Sequence, residues 1–320
     1  MKKRILVCSE TVLGGFEELE ELFDVTFFSP SRDEFKAMIA DYDGVVALFN
    51  NPYILDREMM QASHGRLKII SNYGAGYDKI DARAARELGI VVTNTPDPVT
   101  EPTAELAMAM MVDIARNISL TDRALRDKSN PYPWSNTSPM GHTLFGKTLG
   151  IIGMGRIGKA LARRARAFGM AVLYHNRTKL PTMVEWQYDA MYRSKEDLLK
   201  MSDFVSLNAP ATNETFHIID KQEFEIMKPT AVLVNTARGT LVNEQSLIEA
   251  LRRGDIAAAA LDVYEKGDGN ISPELIDMPN VLLTPHIGTQ TYETRLEIAK
   301  YAAKNIILFF AGNEPLSKVN

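Results

Sequence analysis

The sequence predicts an α/β protein of two doubly wound domains, each a parallel sheet covered by helices. Three observations carry that expectation. Short apolar runs alternate with amphipathic segments along most of the chain, the rhythm of strand–helix–strand units. The runs are apolar enough to be buried on both faces, as parallel strands are. With 320 residues, the chain is long enough for two cores.

From the N-terminus, apolar runs at 5–8, 25–28, 45–49, 67–71 and 90–93 read as strands, and 16–23, 33–40, 57–62 and 82–88 as the helices between them. Residues 95–102 (TPDPVTEP) are too rich in proline to continue either element and read as a hinge or linker. A long helix rich in Ala and Met is expected from Thr103 to about residue 125, then a long loop over 129–146. A second α/β series starts at Leu149. Its strands are expected at 149–152, 171–175, 204–207, 231–235, 257–262 and 281–284, with helices to Phe168 and at 195–200, 222–227 and 244–253. The last helix, 292–310, has no strand after it and is expected to fold back onto the first domain.

The net charge of −5 gives no reason to expect a nucleic-acid partner. The single cysteine, Cys8, lies in an apolar run, cannot form an intramolecular disulfide and reads as a buried strand thiol. The first apolar run is too short for a signal peptide and no stretch approaches a membrane span, so a cytoplasmic protein is expected.

The chemistry is concentrated around LGIIGMGRIGKALARRARAFGMAVLYHNR, residues 149–177. Gly153, Gly155 and Gly158 have G-x-G-x-x-G spacing between a strand and a helix. The first permits a tight turn, the second close approach of a pyrophosphate, the third close helix–strand packing. Backbone N–H groups at the new helix N-terminus, where Arg156 and Ile157 lie, then hold the anion. This is a dinucleotide site. An NAD site usually has an acidic residue at the end of the second strand; here Asn176 is followed by Arg177, Thr178 and Lys179, which suits the extra phosphate of NADP(H).

Of five histidines, only His286 follows an apolar strand directly and precedes a glycine turn. Ligands in open α/β sheets bind beyond the carboxyl ends of strands, and imidazole suits proton exchange near neutral pH. Arg238, after the strand 231–235, could grip a carboxylate or ketone oxygen in planar, bidentate fashion. Asp262, at the end of the strand 257–262, could meet a nicotinamide amide or cap the following turn.

Taken together, NYGAGYD (72–78), TAELA (103–107), the glycine loop, NTARG (235–239), LDVY (261–264) and TPHIG (284–288) resemble the D-isomer-specific 2-hydroxyacid dehydrogenases, in family order and over nearly the whole chain. The Asn176–Arg177 ending is similar to NADPH-using glyoxylate/hydroxypyruvate reductases. The resemblance implies a Rossmann nucleotide domain (99–289) inserted in a discontinuous flavodoxin-like substrate domain (1–98 and 290–320), with the active site in the cleft. It implies that Ala75 and Gly76 offer N–H groups to a substrate carboxylate, that Arg238 holds carboxylate and carbonyl, and that His286 donates the proton. Thr103, Pro210, Thr215, Ala237, Asp262 and Gly288 match positions lining the cofactor. It also implies a homodimer, with the helix after Thr103 and the loop around Trp134 as candidate contacts.

One departure stands out. The family usually places a glutamate about five residues after the equivalent of Asp262, bonded to the catalytic His; here that place is Gly267. Counting back from Ile271-Ser-Pro-Glu274, the loop is one residue longer and aligns Asp268 with the missing glutamate; Glu265 is the other candidate. Such a carboxylate fixes the imidazole tautomer and favours its charged form. The expected activity is reduction of a small 2-keto acid, glyoxylate or hydroxypyruvate, by NADPH. A non-catalytic NADP(H) sensor of the same fold, and an enzyme for a larger keto acid with Asn50, Tyr53 and Met140 near its pocket, are the alternatives.

Overall fold

The computed structural model describes residues 2–10, 12–48, 53–127 and 140–320. They form two compact units, Met1–Val99 with Thr289–Asn320, and Thr100–Gly288.

The first unit is a five-stranded sheet of β1 (Arg4–Val7), β2 (Asp24–Phe27), β3 (Gly44–Leu48), β4 (Ile69–Tyr73) and β5 (Val91–Thr93). Every pairing is parallel and the order is 2-1-3-4-5, a doubly wound, flavodoxin-like arrangement. Phe49, expected to end the third strand, lies outside the described residues. Cys8 is buried just past β1, and burial pushes its thiol up to about 12. The closing helix Tyr292–Phe310 belongs to this unit: Ile298, Ala299, Ala302, Ala303 and Ile306 share a core with Ile5, Val7, Val46 and Ile69. The chain end also pairs beside β5, where Val319 N–H donates to Val92 O and Asn320 Oδ1 accepts from Val92 N–H.

The second unit carries β6 (Thr148–Ile152), β7 (Ala171–His175), β8 (Ala190–Tyr192), β9 (Phe204–Leu207), β10 (Val232–Asn235), β11 (Ala258–Leu261) and β12 (Val281–Leu283). Their order is 12-11-10-9-6-7-8, all parallel. Counted from β6, this is the 3-2-1-4-5-6 order of a Rossmann sheet with one strand added. Its strand order reverses between β6 and β9, so the crevice for a ligand opens beyond those two carboxyl ends.

Four local expectations are corrected. The segment 95–102 is not all linker, because the helix Thr100–Arg116 takes Pro102 into its first turn, where N–H groups have no intrahelical acceptor. The helix expected to run on to residue 125 breaks at Asn117, in a left-handed conformation (φ 55°), and a second helix, Ile118–Arg126, follows. Asp113 secures the break by accepting from Ser119 N–H at 2.7 Å. The run around His217, polar and strand-like in the sequence, is no strand: His217 itself has φ 50°, and only Ile219 makes a bridge, with Val242. The helix Thr182–Tyr188 and strand β8 were not expected at all; the helix buries none of its residues and β8 has three, so neither leaves an apolar period in the sequence. No helix among the described residues is long and apolar enough to cross a membrane.

Candidate active site

Because all seven strands of the second unit are parallel, their carboxyl ends lie along one edge, and the chemistry-bearing residues follow those ends. After β6 the chain turns at Gly153 (φ 98°), whose N–H donates to His175 O at 3.0 Å. A Cβ on Gly153 would come within 2.6 Å of Ala209 N, so the turn is wedged against the end of β9. At Gly155, which caps the helix Arg156–Ala167, a Cβ would meet nothing within 4 Å: the space before this helix N-terminus is open. Gly158 is buried, and a Cβ there would stand 2.4 Å from Gly153 O. Arg156 is exposed and Ile157 half-buried at the start of that helix.

Asn176 follows β7, and its Oδ1 accepts from Met154 N–H at 2.7 Å, tying the end of β7 to the glycine turn. Arg177, Thr178 and Lys179 are exposed beyond it. Their loop is held from below by Tyr174, whose hydroxyl accepts from Leu180 N–H (2.9 Å) and donates to Glu185 Oε1 (2.9 Å). Burial, ahead of these bonds, pushes that phenol up to about 12. Lys179 Nζ lies 3.3 Å from Glu185 Oε2. After β9, Thr215 Oγ1 donates to Pro210 O at 2.6 Å and accepts from Thr212 N–H at 2.8 Å, closing the turn 210–215.

Arg238 is presented by a turn that Asn235 builds. Its Oδ1 accepts from Ala237 N–H (3.0 Å) while its Nδ2 donates to Arg238 O (2.9 Å). The guanidinium is half-buried and its Nη1 donates to Ala237 O at 2.8 Å.

Beyond β11 and β12 lies the densest cluster. The buried Asp262 carboxylate accepts from Thr284 Oγ1 (2.6 Å), Ile287 N–H (2.8 Å) and Gly288 N–H (3.0 Å), and its backbone oxygen accepts from His286 N–H (3.0 Å). Burial pushes this carboxyl up, and those donors pull against it. Thr103 Oγ1 reaches Gly288 O at 3.5 Å, so Thr103, Asp262 and Gly288 meet. His286 stands three residues past β12 with φ 56°, a conformation held by the Asp262 bonds on either side. Its Nδ1 is 2.7 Å from Asp268 Oδ2. Glu265, the other candidate, is not beside His286: its Oε1 is 2.5 Å from His217 Nε2 and its Oε2 accepts from Glu244 N–H at 3.0 Å.

These residues fit a bound dinucleotide. Besides the open cradle at Gly155, two buried polar atoms, Asn208 Oδ1 and Thr236 Oγ1, lack a hydrogen-bond partner just past β9 and β10. Buried orphans of this kind are expected where a ligand completes the set.

The NAD binding domain of the D-isomer specific 2-hydroxyacid dehydrogenases matches residues 108–288. A glyoxylate reductase of Thermococcus litoralis is 40% identical over all of this chain and 97% of its own. The chain belongs to this dehydrogenase family. The crystal structure of a glyoxylate reductase from Paecilomyes thermophila superposes with TM-score 0.91 at 37% identity, covering 99% of this chain and 98% of that one. An NADPH-dependent glyoxylate/hydroxypyruvate reductase from Sinorhizobium meliloti, solved with NADP and malonate, gives 0.88 at 31%, covering 100% and 97%. The protein is therefore an NAD(P)-dependent dehydrogenase with a nicotinamide cofactor.

In the first unit of this dehydrogenase, Ala75 and Gly76 sit in a turn whose carbonyls are all engaged. Asn72 Nδ2 donates to Gly74 O (2.8 Å) and Gly76 O (2.9 Å), and Asn94 Nδ2 to Ala75 O (2.7 Å). Among the described residues no acceptor meets the N–H of Ala75 or Gly76. Sequence reasoning quoted Asn72, Asn235 and Thr236 within NYGAGYD and NTARG without giving them a role, and missed Asn94 and Asn208. The one available signal was a small polar residue at or just past the end of an apolar strand. Tyr53 is a correction: it is buried in the first unit's core with its hydroxyl on Pro30 O at 3.0 Å. Met140 is 86% exposed, while Asn50 and Trp134 lie outside the described residues.

Proposed function

We propose that this dehydrogenase reduces a small 2-keto acid, glyoxylate or hydroxypyruvate, to the D-2-hydroxy acid with NADPH. The observation that carries the reading is the His286–Asp268 contact of 2.7 Å at the carboxyl end of a nucleotide-binding sheet. With Nδ1 held by Asp268, the imidazole gives the proton on Nε2 to the ketone oxygen, and Asp268 stabilises the charged ring before that transfer. Arg238 grips the substrate carboxylate and carbonyl oxygen, polarising the bond that is reduced. In the first unit, the N–H groups of Ala75 and Gly76 are offered to a carboxylate. Bound NADPH supplies the hydride that the carbonyl carbon accepts. Thr103, Pro210, Thr215, Ala237, Asp262 and Gly288 would line the coenzyme, and Gly153, Gly155, Arg156, Ile157 and Gly158 would hold its pyrophosphate.

The coenzyme choice rests on Asn176. A carboxylate there would repel a ribose phosphate; an amide followed by Arg177, Thr178 and Lys179 admits it. The small substrate is supported by the likeness to glyoxylate and glyoxylate/hydroxypyruvate reductases described above. Steady-state oxidation of NADPH and NADH against a panel of 2-keto acids tests both parts. The expected result is kcat/KM at least about ten-fold higher with NADPH, a difference of about 1.4 kcal/mol, and highest with the two- and three-carbon acids. A preference for NADH rejects the coenzyme assignment, a preference for an aromatic keto acid rejects the substrate, and no turnover with any acid leaves a coenzyme sensor.

A further inference from the structure

Glu265 is fastened at both carboxylate oxygens by groups other than His286 and Arg238. Oε1 meets His217 Nε2 at 2.5 Å, and Oε2 accepts from the N–H of Glu244, the first residue of the helix Glu244–Arg253, at 3.0 Å. Its own N–H returns to Glu244 Oε2 at 3.4 Å, closing a reciprocal pair between loop and helix start. His217 is itself fixed: its N–H donates to Thr240 O at 2.9 Å and its ring stacks on Phe216 with centroids 3.9 Å apart. The backbone of Tyr264 and Glu265 lies against Gly239, where a Cβ would come within 1.9 Å of Tyr264 C and O.

Asp268 apart, the stretch after Glu265 is held by short-range bonds, Gly267 N–H to Tyr264 O at 3.1 Å, Asn270 N–H to Gly267 O at 3.2 Å and Asn270 Nδ2 to Lys266 O at 3.3 Å. Lys266, Gly267, Asp268 and Gly269 are exposed, and both glycines have positive φ (89° and 83°) with no atom within 4 Å of where a Cβ would be. These turns shape the segment but start from Tyr264 and Glu265, and the two glycines, which give up the most conformational freedom on ordering, add no side-chain contact of their own. Asp268 is three residues from Glu265, within about 10 Å of chain. The place where Asp268 arrives is therefore set by where Glu265 is tied.

We propose that Glu265 is a positioning residue: clamped between His217 and the start of the helix Glu244–Arg253, it fixes the loop that delivers Asp268 to His286. The inference rests on the reading of Asp268 as the partner of His286, and the test separates the two. The readout is the ring tautomer of His286 in the coenzyme-free protein, from imidazole 15N shifts at about pH 9, above the ordinary imidazole range. His286→Asn assigns the signals. The wild-type ring is expected to carry its proton on Nδ1, and Asp268→Ala to shift it towards the Nε2–H form that an unconstrained imidazole prefers.

Glu265→Ala and His217→Asn are expected to shift the ring in the direction of Asp268→Ala, with kcat for ketone reduction down about ten-fold and KM for NADPH within a factor of two, whereas Glu265→Gln, which keeps length and an acceptor oxygen, restores most of both. Should Glu265→Ala fail to fold, His217→Asn decides alone, since it removes one contact. A shifted tautomer in Asp268→Ala with an unmoved one in His217→Asn and Glu265→Ala overturns the positioning role alone. An unmoved tautomer in Asp268→Ala overturns the Asp268 reading and this inference with it.

Discussion

At the scale of single residues, the assignment most exposed to experiment is Arg238. Its backbone is extended (φ −144°, ψ 139°) and both ends of the Asn235 amide brace the turn that carries it. A lysine would keep the charge and fit the same backbone. It would lose the planar fork that grips two oxygens together, and an ammonium is a point charge with no preferred pair of directions. Arg238→Lys is expected to fold like the parent and to lose at least about ten-fold in kcat/KM for the keto acid, since one decade is 1.4 kcal/mol. NADPH affinity, measured by fluorescence titration, is expected to stay unchanged. A variant with near-normal kcat/KM would mean that another cation holds the substrate.

At the scale of elements, the glycine turn between β6 and its helix separates stability from binding. Gly153 and Gly155 look alike in the sequence, yet the backbone uses them differently. Alanine at 153 must adopt φ 98° and press its Cβ to 2.6 Å from Asn208 C and Ala209 N. The strained backbone alone costs about 1–3 kcal/mol, so Gly153→Ala is expected to lower Tm before any coenzyme is added. Alanine at 155 has a negative φ (−84°), with ψ (−149°) just past the extended region, and open space. Gly155→Ala is therefore expected to melt within about 0.5 kcal/mol of wild type while NADPH binds at least about ten-fold more weakly, about 1.4 kcal/mol. Normal NADPH affinity in Gly155→Ala would place the pyrophosphate elsewhere.

The same contrast explains what was legible in the sequence. Buried strands such as 204–207 and 231–235 announce themselves because both faces are apolar; β8, with Met191 half exposed at the sheet edge, does not. The resemblance to the dehydrogenases, with a loop one residue longer after Asp262, offered Asp268 and Glu265 as partners of His286, since such an offset is counted along the chain. The pairing of Glu265 with His217 spans 48 residues and depends on how two loops meet, which no local pattern encodes. Likewise Asn117 breaks a helix that its neighbours favour, because the local side-chain bond from Ser119 N–H to Asp113 across the break outweighs propensity.

At the scale of the whole molecule, the two units differ in how the chain supplies them. The second is one continuous segment, and both of its apolar clusters draw only on residues between Ala104 and Leu283. The first is completed by residues 289–320, whose helix contributes Ile298, Ala299, Ala302, Ala303 and Ile306 to a core built on β1, β3 and β4. Burying two isoleucines contributes about 3–6 kcal/mol, comparable with the net stability of a small domain, about 5–15 kcal/mol. Removing residues 289–320 is therefore expected to unfold the first unit and spare the second. In limited proteolysis, the truncated chain should lose residues 1–99 first and leave a resistant core near 100–288. That segment, expressed alone, should melt cooperatively by circular dichroism and gain Tm on adding NADPH, because every residue proposed to hold the coenzyme lies within it. If the isolated segment were unfolded, or folded without responding to NADPH, the nucleotide site could not belong to the second unit alone.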